Sequence, residues 1–174
     1  MRTAIKKQVE ESYPFLPELH DRIGECMDTD SRVVVAVMGN KGVGKSRFSR
    51  LIRKYGCGDL KPKEVAVIDD NVMRVRIVFG LAWRFTHRTM ALDEFEPFDP
   101  YLKRKKVVFC VHSDPSIRLA KADVVLRLFT DETTRLERLK QRNGEEEGMR
   151  RFTASQSYDP TPPIPFRFVV DGFV

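Results

Sequence analysis

Five short apolar runs, separated by more polar stretches, predict the strands of one buried sheet. Most positions in each run are apolar without strict alternation, a pattern typical of parallel strands that are covered on both faces. The runs cover residues 32–38, 65–68, 107–111, 123–129 and 166–170. Because stretches with helical spacing lie between them, we expect a three-layer α/β domain.

Helical spacing of apolar residues predicts the helices that cover this sheet. The helix after the first run carries this spacing at Phe48, Leu51, Ile52 and Tyr55. A later helix begins near the N-cap candidates Thr130 and Asp131 and stops at Asn143-Gly144. Residues 71–98 have a mixed pattern and are also expected to be mainly helical.

Residues 1–31 are predicted to form a helical extension that precedes a domain of residues 32–174. Apolar residues recur at helical spacing on both sides of a break at Tyr13-Pro14. They are Ile5 and Val9 before the break, and Leu16, Leu19, Ile23 and Met27 after it. We expect these short helices to cover the sheet or the core, and the alternative is an arm that binds a protein partner.

Composition and charge limit the class of protein. The chain has 174 residues, enough for one domain with a sizeable core, and its hydrophobic fraction of 41% is that of a globular protein. No apolar run approaches the roughly 20 residues that cross a bilayer, and the N-terminus lacks the apolar segment of a secretory signal. Three widely spaced cysteines favour reduced thiols in a cytoplasmic protein. The net charge of +6 suits a polyanionic ligand.

Residues 39–46 join the first predicted strand to the first predicted helix and match the phosphate-loop pattern G-x-x-x-x-G-K-[ST]. Glycine lets the backbone turn its amide N–H groups towards a pyrophosphate, and the helix N-terminus adds a positive dipole end. In this pattern Lys45 reaches the β- and γ-phosphates, and the Ser46 hydroxyl ligands Mg²⁺. The predicted nucleotide-binding residues are Gly39, Asn40, Lys41, Gly42, Val43, Gly44, Lys45, Ser46 and Arg47. The alternative is a glycine-rich turn that binds no nucleotide.

Three aspartates follow predicted strands, at the sheet edge where open α/β proteins bind their ligands. Asp69 and Asp70 come directly after residues 65–68. One of them can ligand Mg²⁺ while the other accepts a proton from an attacking hydroxyl, and the alternative is a pair that caps the next helix. Asp114, after residues 107–111, is a further candidate for Mg²⁺, or else it begins a turn.

Arginines are the candidates for contacts with phosphate. Arg135, Arg138 and Arg142 are spaced by three and four residues, which places them on or near one face of the later helix. There they can neutralise charge on a transferred phosphoryl group, and the alternative is a charged helix surface with ion pairs. Candidates for acceptor contacts within residues 71–98 are Arg74, Arg76, Arg84 and Arg88.

The second half of the chain resembles the closing segment of nucleoside and nucleotide kinases, with dephospho-CoA kinase nearest in pattern. The matching features are the strand at residues 122–126, the sequence L-E-R-L-K-x-R within residues 130–142, Arg151 with Gln156, and the strand at residues 168–172. The resemblance implies a P-loop NTPase fold with a five-stranded parallel sheet in the order 2-3-1-4-5. It also implies ATP and Mg²⁺, a strand-end aspartate as base, and lid arginines on the phosphates.

The function predicted from these features is an ATP- and Mg²⁺-dependent small-molecule kinase. Its predicted catalytic residues are Lys45, Asp69, Asp70, Arg138 and Arg142, and its predicted metal ligands are Ser46, Asp69 and Asp114. Only 36 residues separate positions 70 and 107, too few for the long acceptor-binding helices of dephospho-CoA kinase, so we expect a smaller acceptor. The alternative is a non-enzymatic ATP-binding module that regulates a partner. Nucleic acid is not expected as a partner, because no aromatic and basic motif supports it.

Overall fold

The computed structural model describes residues 11–70, 72–76, 82–86 and 91–174. Its helices are α1 (Leu16–Met27), α2 (Lys45–Tyr55), α3 (Asp99–Leu102), α4 (Glu132–Asn143) and α5 (Glu145–Thr153). Its strands are β1 (Val33–Gly39), β2 (Val65–Asp69), β3 (Val72–Arg76), β4 (Ala82–Thr86), β5 (Val107–Val111), β6 (Val124–Phe129) and β7 (Phe168–Phe173). A short 3-10 turn spans Pro115–Ile117.

These strands form one mixed sheet in the order β4-β3-β2-β5-β1-β6-β7. The five strands expected from the apolar runs pair in parallel, and the buried positions of β1, β2 and β5 explain why their sequences are almost entirely apolar. Numbered among themselves along the chain, these five lie in the order 2-3-1-4-5. The strand count and order of the whole sheet differ from the prediction, because β3 and β4 extend one edge to seven strands.

The prediction of a mainly helical segment over residues 71–98 is wrong for the part that the structure describes, where residues 72–76 and 82–86 form strands. Instead β3 pairs with β2 and β4 pairs with β3, both antiparallel. Valine, tryptophan, phenylalanine and threonine are residues that favour strands, and these two segments are rich in them. Arg74, Arg76 and Arg84 lie on this hairpin, and Arg88 lies outside the described residues. Their contact with an acceptor stays a prediction.

Two hydrophobic layers, one on each face of the sheet, form the core. On one face Leu19 and Ile23 of α1 and Phe48 of α2 pack on valines of β1, β5 and β6. On the other face Phe98 and Leu102 pack on residues of β1, β2 and β5. Successive strand residues point to opposite faces, so each central strand contributes to both layers. The result is the three-layer α/β arrangement that the alternating elements predicted.

Helix α1 covers the sheet, as expected for the second of the two N-terminal helices. Its apolar stripe belongs to the same core layer as α2, and its buried residues are Leu16, Leu19, Ile23 and Cys26. Phe15, at its start, packs against the ring of Phe48 with centroids 5.9 Å apart. The first expected helix, with Ile5 and Val9, lies outside the described residues. In the described part of the chain, no helix has the length and apolar character needed to span a membrane.

Candidate active site

The loop from β1 to α2 takes a backbone course that depends on three glycines. Gly39, Gly42 and Gly44 have φ values of 149°, 88° and 109°, a region that favours glycine. Gly44 is the N-cap of α2, and its carbonyl accepts hydrogen bonds from the N–H groups of Arg47 and Phe48 at 2.9 and 3.0 Å. No side chain caps this helix end. The first N–H groups of α2, which have no acceptor within the helix, are therefore suited to an anion.

The same loop packs tightly against β6 and α4. A Cβ atom on Gly39 would lie 2.6 Å from the carbonyl oxygen of Leu128, and one on Gly42 would lie 3.0 Å from atoms of both Arg135 and Leu139. A Cβ on Gly44 would meet Arg138 only at 3.6 Å. Glycine is thus required at Gly39 and Gly42 because neighbouring atoms leave no space for a Cβ atom and because φ is positive at both residues.

Lys45 turns its side chain back over the loop. Its Nζ donates to the carbonyl oxygens of Gly39 and Asn40, the latter at 3.0 Å, and contacts Ser113 Oγ at 3.0 Å. Burial lowers the pKa of Lys45 to about 8, against the opposing effect of the carboxylates of Asp70 and Asp69. The amine therefore lies close to both aspartates and is held by groups that a phosphate can replace.

Parallel pairing brings the ends of β2, β5 and β1 to one edge of the sheet. Asp69 is paired with Val111, so the residues that follow, Asp70 and His112, lie side by side. Backbone hydrogen bonds continue this arrangement: Asp70 N–H donates to the Val111 carbonyl at 2.8 Å, and His112 N–H donates to the Val37 carbonyl at 3.0 Å. Asp69 and Asp70 therefore lie at the same sheet edge as the end of β1.

Asp69 and Asp70 differ in their surroundings. Asp69 is half-buried, accepts a hydrogen bond from the Ser46 hydroxyl, and lies 3.9 Å from the guanidinium of Arg53. Burial and then the charge of Asp70 raise the pKa of Asp69, which these two partners only partly offset. Asp70 is exposed, has a φ of 52°, and lies with its Oδ1 4.0 Å from Nε2 of His112. The alternative of a helix-capping pair is excluded, because β3 follows them.

A small, partly open pocket with room for about one water molecule adjoins these carboxylates. Asp70 and His112 contribute to its wall, together with Arg118 from the segment after β5. The rest of the wall is apolar and includes Phe95 and Leu119. A concave apolar surface with a few polar groups at the carboxyl ends of strands is the usual setting of a small-molecule site.

Asp114 begins a turn, which is the alternative to Mg²⁺ binding that its sequence position suggests. Its Oδ1 accepts hydrogen bonds from the N–H and the hydroxyl of Ser116, at 2.9 and 2.6 Å, and it caps the 3-10 turn that follows. This carboxylate is exposed. Its binding of Mg²⁺ stays a prediction.

The three arginines of α4 have three different environments. Arg135 is only 3% exposed; it donates to Ser155 Oγ at 2.8 Å and lies over the ring of Phe152 at 4.2 Å. Arg138 is half-buried and donates to the carbonyl of Val43 in the phosphate loop at 3.2 Å. Arg142 is exposed, and its charge contributes to lowering the pKa of Lys45. Arg138 and Arg142 therefore lie near the loop, whereas Arg135 fixes α4 to the segment after α5.

The remaining loop side chains are one anchored, two exposed and one buried. Asn40 donates from Nδ2 to the carbonyl of Ser155 at 2.7 Å, and its Oδ1 accepts from the N–H of Lys41. The side chains of Lys41 and Arg47 are exposed, while Val43 is buried in the core. Asn40 thus holds the loop against the chain that follows α5.

Sequence reasoning missed the roles of His112, Ser113 and Ser155. Ser113 follows a buried strand next to β1, and the register of those two strands places it near Gly39, where it meets Lys45. The position of Ser113 after an apolar strand was a usable signal. Ser155 follows a short helix in a polar stretch, and nothing in the sequence marks it.

The chain shares its architecture with a protein of known structure. No family model matches the chain, and no curated protein matches it. A solved structure from Silicibacter sp. TM1040, which carries the provisional name fructose transport system kinase, superposes on it with a TM-score of 0.50 at 15% sequence identity. The match covers 88% of this chain and 98% of the other. At this identity the likeness shows a kinase-like α/β fold, and the resemblance to dephospho-CoA kinase stays a prediction.

Proposed function

We propose that the protein is an ATP-dependent phosphotransferase that moves the γ-phosphoryl group to a small-molecule acceptor. The observation that carries the proposal is the meeting of three features at one edge of the sheet. They are the loop amine of Lys45, the hydrogen-bonded pair of Ser46 and Asp69, and Asp70 on the wall of a pocket. A cation, oxygen ligands for a metal ion and a carboxylate beside an open pocket are the parts that phosphoryl transfer uses.

The geometry of the loop fits the phosphate tail of a nucleotide. Three glycines with positive φ and an uncapped helix end offer amide N–H groups without a side chain in the way. The amine of Lys45 contacts carbonyl and hydroxyl oxygens, and phosphate oxygens are stronger partners for it. Residues 39–47 are the proposed phosphate-binding segment, with Lys45 as its charged group.

Ser46 and Asp69 are the proposed residues for holding Mg²⁺. Both supply oxygen atoms, which this ion prefers, and they are already in hydrogen-bond contact. No group of three or more His, Cys, Asp or Glu that could hold a metal occurs in residues 11–70, 72–76, 82–86 and 91–174. Mg²⁺ at nucleotide sites commonly takes one or two protein ligands and completes its shell with phosphates and water. When bound, the ion would neutralise charge on the phosphates.

Asp70 is the proposed base, and the choice between the two aspartates follows from their contacts. The carboxylate of Asp69 is engaged by Ser46 and lies near Arg53, whereas that of Asp70 is exposed on the pocket wall. A base must be within hydrogen-bond reach of the hydroxyl that it deprotonates. Arg138 and Arg142, which lie on α4 near the loop, are proposed to neutralise charge on the transferred group.

A transfer assay tests the proposal. The chain is incubated with ATP, Mg²⁺ and a panel of nucleosides, sugars and simple alcohols, and acceptor-dependent ADP release is measured. We expect turnover with at least one acceptor, and a decrease of about 10²–10⁴-fold in kcat for Asp70→Asn, because a general base contributes about that factor. Lys121→Ala, an exposed lysine after the pocket segment, is the matched control and should keep the wild-type rate. Absence of turnover with the whole panel, or an unchanged rate for Asp70→Asn, would contradict the proposal.

A second candidate function is a nucleotide-binding module that regulates a partner. It is favoured by the contacts that tie the loop to the last helices: Asn40 to the carbonyl of Ser155, and Arg138 to the carbonyl of Val43. Nucleotide that displaces these contacts would change the position of α4 and α5. This candidate predicts tight nucleotide binding without acceptor-dependent turnover, together with altered hydrogen exchange in α4 and α5.

A further inference from the structure

Ser155 joins three parts of the chain at one point. Its backbone carbonyl accepts a hydrogen bond from Nδ2 of Asn40 in the phosphate loop, at 2.7 Å. Its hydroxyl accepts from the guanidinium of Arg135 in α4, at 2.8 Å, and lies 2.9 and 3.0 Å from the carbonyl oxygens of Arg151 and Phe152 in α5. The residue is only 8% exposed. A buried serine with a partner in each of three elements fixes their relative positions.

The guanidinium of Arg135 makes this junction resistant to movement. The residue is 3% exposed, and its Cζ atom lies over the ring of Phe152, 4.2 Å from the ring centroid. Besides Ser155, the exposed Glu132 accepts from Arg135, at 3.3 Å. Without the Ser155 hydroxyl, a buried charge would have one acceptor fewer, which is costly unless the surrounding chain moves. The hydroxyl therefore holds α4 in its place against the turn after α5.

The position of α4 matters to the phosphate loop, which packs on it. A Cβ atom on Gly42 would lie 3.0 Å from Cγ of Arg135, so the stem of this arginine lies against the loop backbone. Arg138 is three residues further along the same helix face, and it donates to the carbonyl of Val43 at 3.2 Å. A shift of α4 would therefore move both arginines relative to the loop.

Asn40 extends the same series of contacts to the amine of Lys45. While Nδ2 of Asn40 donates to Ser155, its Oδ1 accepts from the N–H of Lys41 at 2.7 Å. The carbonyl of Asn40 accepts from Nζ of Lys45 at 3.0 Å. Hydrogen bonds therefore run without a break from α4 through Ser155 and Asn40 to Lys45.

We propose that Ser155 is a positioning residue for the nucleotide: it holds Asn40 and α4 so that Lys45 and Arg138 meet the same phosphates. This role rests on the proposed phosphotransferase function, of which it needs only the nucleotide-binding part. Ser155 acts through Asn40 and Arg135 and does not itself contact phosphate. Donors that are already in place bind a ligand more tightly, because ordering them on binding costs free energy.

MgADP titration of four variants of the full chain, followed by calorimetry, tests this role. Ser155→Ala removes the hydroxyl, Asn40→Ala removes the loop side of the junction, and a double variant combines the two changes. Ser157→Ala is the matched control, because it removes the same group two residues further on, where the side chain is exposed. Urea unfolding of each variant shows whether it is folded.

We expect Ser155→Ala and Asn40→Ala each to weaken MgADP binding about tenfold, and Ser157→Ala to stay within about twofold of wild type. Because both single changes break the same series of contacts, the double variant should be less than about threefold weaker than either of them. Independent effects would instead multiply to about a hundredfold.

NMR of the free chain separates positioning from a general loss of stability. The Asn40 side-chain amide proton that is bonded to the Ser155 carbonyl should exchange with water at least about tenfold faster in folded Ser155→Ala than in wild type. Ser157→Ala should leave this exchange rate unchanged.

The proposal is overturned if folded Ser155→Ala binds MgADP as tightly as wild type, or if the two single effects multiply in the double variant. If Ser155→Ala does not fold, Asn40→Ala decides: a tenfold loss of affinity supports the proposal, and wild-type affinity overturns it. In all these outcomes the wild-type chain binds MgADP. Failure of the wild-type chain to bind MgADP would instead overturn the proposed function, and this role of Ser155 with it.

Discussion

Lys45 is the single residue on which the proposed nucleotide binding most depends. Its amine is largely withdrawn from water and contacts Gly39, Asn40 and Ser113, and burial lowers its pKa to about 8. Phosphate oxygens stabilise the charged amine and so raise this pKa when a nucleotide binds. Nucleotide binding is then coupled to the uptake of a proton at pH values near and above the pKa of Lys45 in the free protein.

Calorimetry in buffers of different ionisation enthalpy measures this proton. At pH 8, where about half of the free chains carry a neutral Lys45, we expect MgADP binding to take up about half a proton. At pH 6.5 the uptake should vanish because the amine is already charged, and affinity should fall as pH rises above 8. Lys45→Arg keeps its charge at both pH values and should show no uptake at pH 8. Equal proton uptake by wild type and Lys45→Arg would show that Lys45 is not the group that takes up the proton.

The loop glycines give a second test at the residue scale. A Cβ on Gly42 would crowd Arg135 and Leu139 at 3.0 Å, while one on Gly144 would meet no atom within 4 Å, and both residues have positive φ. We expect Gly144→Ala to lower the free energy of unfolding by about 1–3 kcal/mol from backbone strain alone. Gly42→Ala should cost about 1–3 kcal/mol more, because it also forces α4 away from the loop.

Urea unfolding of the two glycine variants measures these differences, and MgADP binding separates their functional effects. Gly144→Ala should keep the nucleotide affinity of the wild type, since it lies outside residues 39–47, and Gly42→Ala should lose most of it. Equal stabilities for the two variants would show that the loop does not pack on α4 as described.

At the scale of elements, α1 belongs to the core. Leu19 and Ile23 are buried with Phe48 of α2, and a Cβ on Gly172 of β7 would collide with the ring of Phe15 at 2.7 Å. The helix therefore lies close against both α2 and the strand at one edge of the sheet. Removing its apolar residues should affect the stability of the whole domain.

Leu19→Ala tests the role of α1 directly. The side chain is fully buried, so we expect its truncation to lower the free energy of unfolding by about 2–5 kcal/mol. Asp21→Ala, an exposed position of the same helix, should change it by less than about 0.5 kcal/mol. Chemical unfolding of both variants gives the values, and a cost below about 1 kcal/mol for Leu19→Ala would mean that α1 is only loosely attached.

The parallel strands were predictable and the hairpin was not. The strand at residues 107–111 is apolar throughout and the strand at residues 123–129 is mostly apolar, because most of their positions are buried on both faces, and this pattern is visible in the sequence. In β3 and β4 the spacing of the apolar positions also fits a helix, and strand pairing decided between the two. Pairing of Asp69 with Val111 joins residues distant in sequence, so the contact between Asp70 and His112 was beyond sequence reasoning.

At the scale of the whole molecule, the proposed site lies where three parts of the chain meet. The phosphate loop supplies Lys45 and Ser46, the ends of β2 and β5 supply Asp69, Asp70 and the pocket, and α4 supplies the arginines. The net charge of +6 favours approach of a polyanion such as ATP. Because each part comes from a different element, the site exists only in the folded chain.

Calorimetric titration of the wild-type chain with ATP and Mg²⁺, beside Lys45→Ala, is the most direct test of nucleotide binding by residues 39–47. Lys45→Ala should keep the wild-type unfolding temperature to within a few degrees, so any loss of binding is not a loss of fold. We predict saturable one-to-one binding by wild type and at least a tenfold weaker affinity for Lys45→Ala. No binding by the folded wild-type chain, or equal affinities for the two proteins, would contradict the phosphate-binding role of this loop.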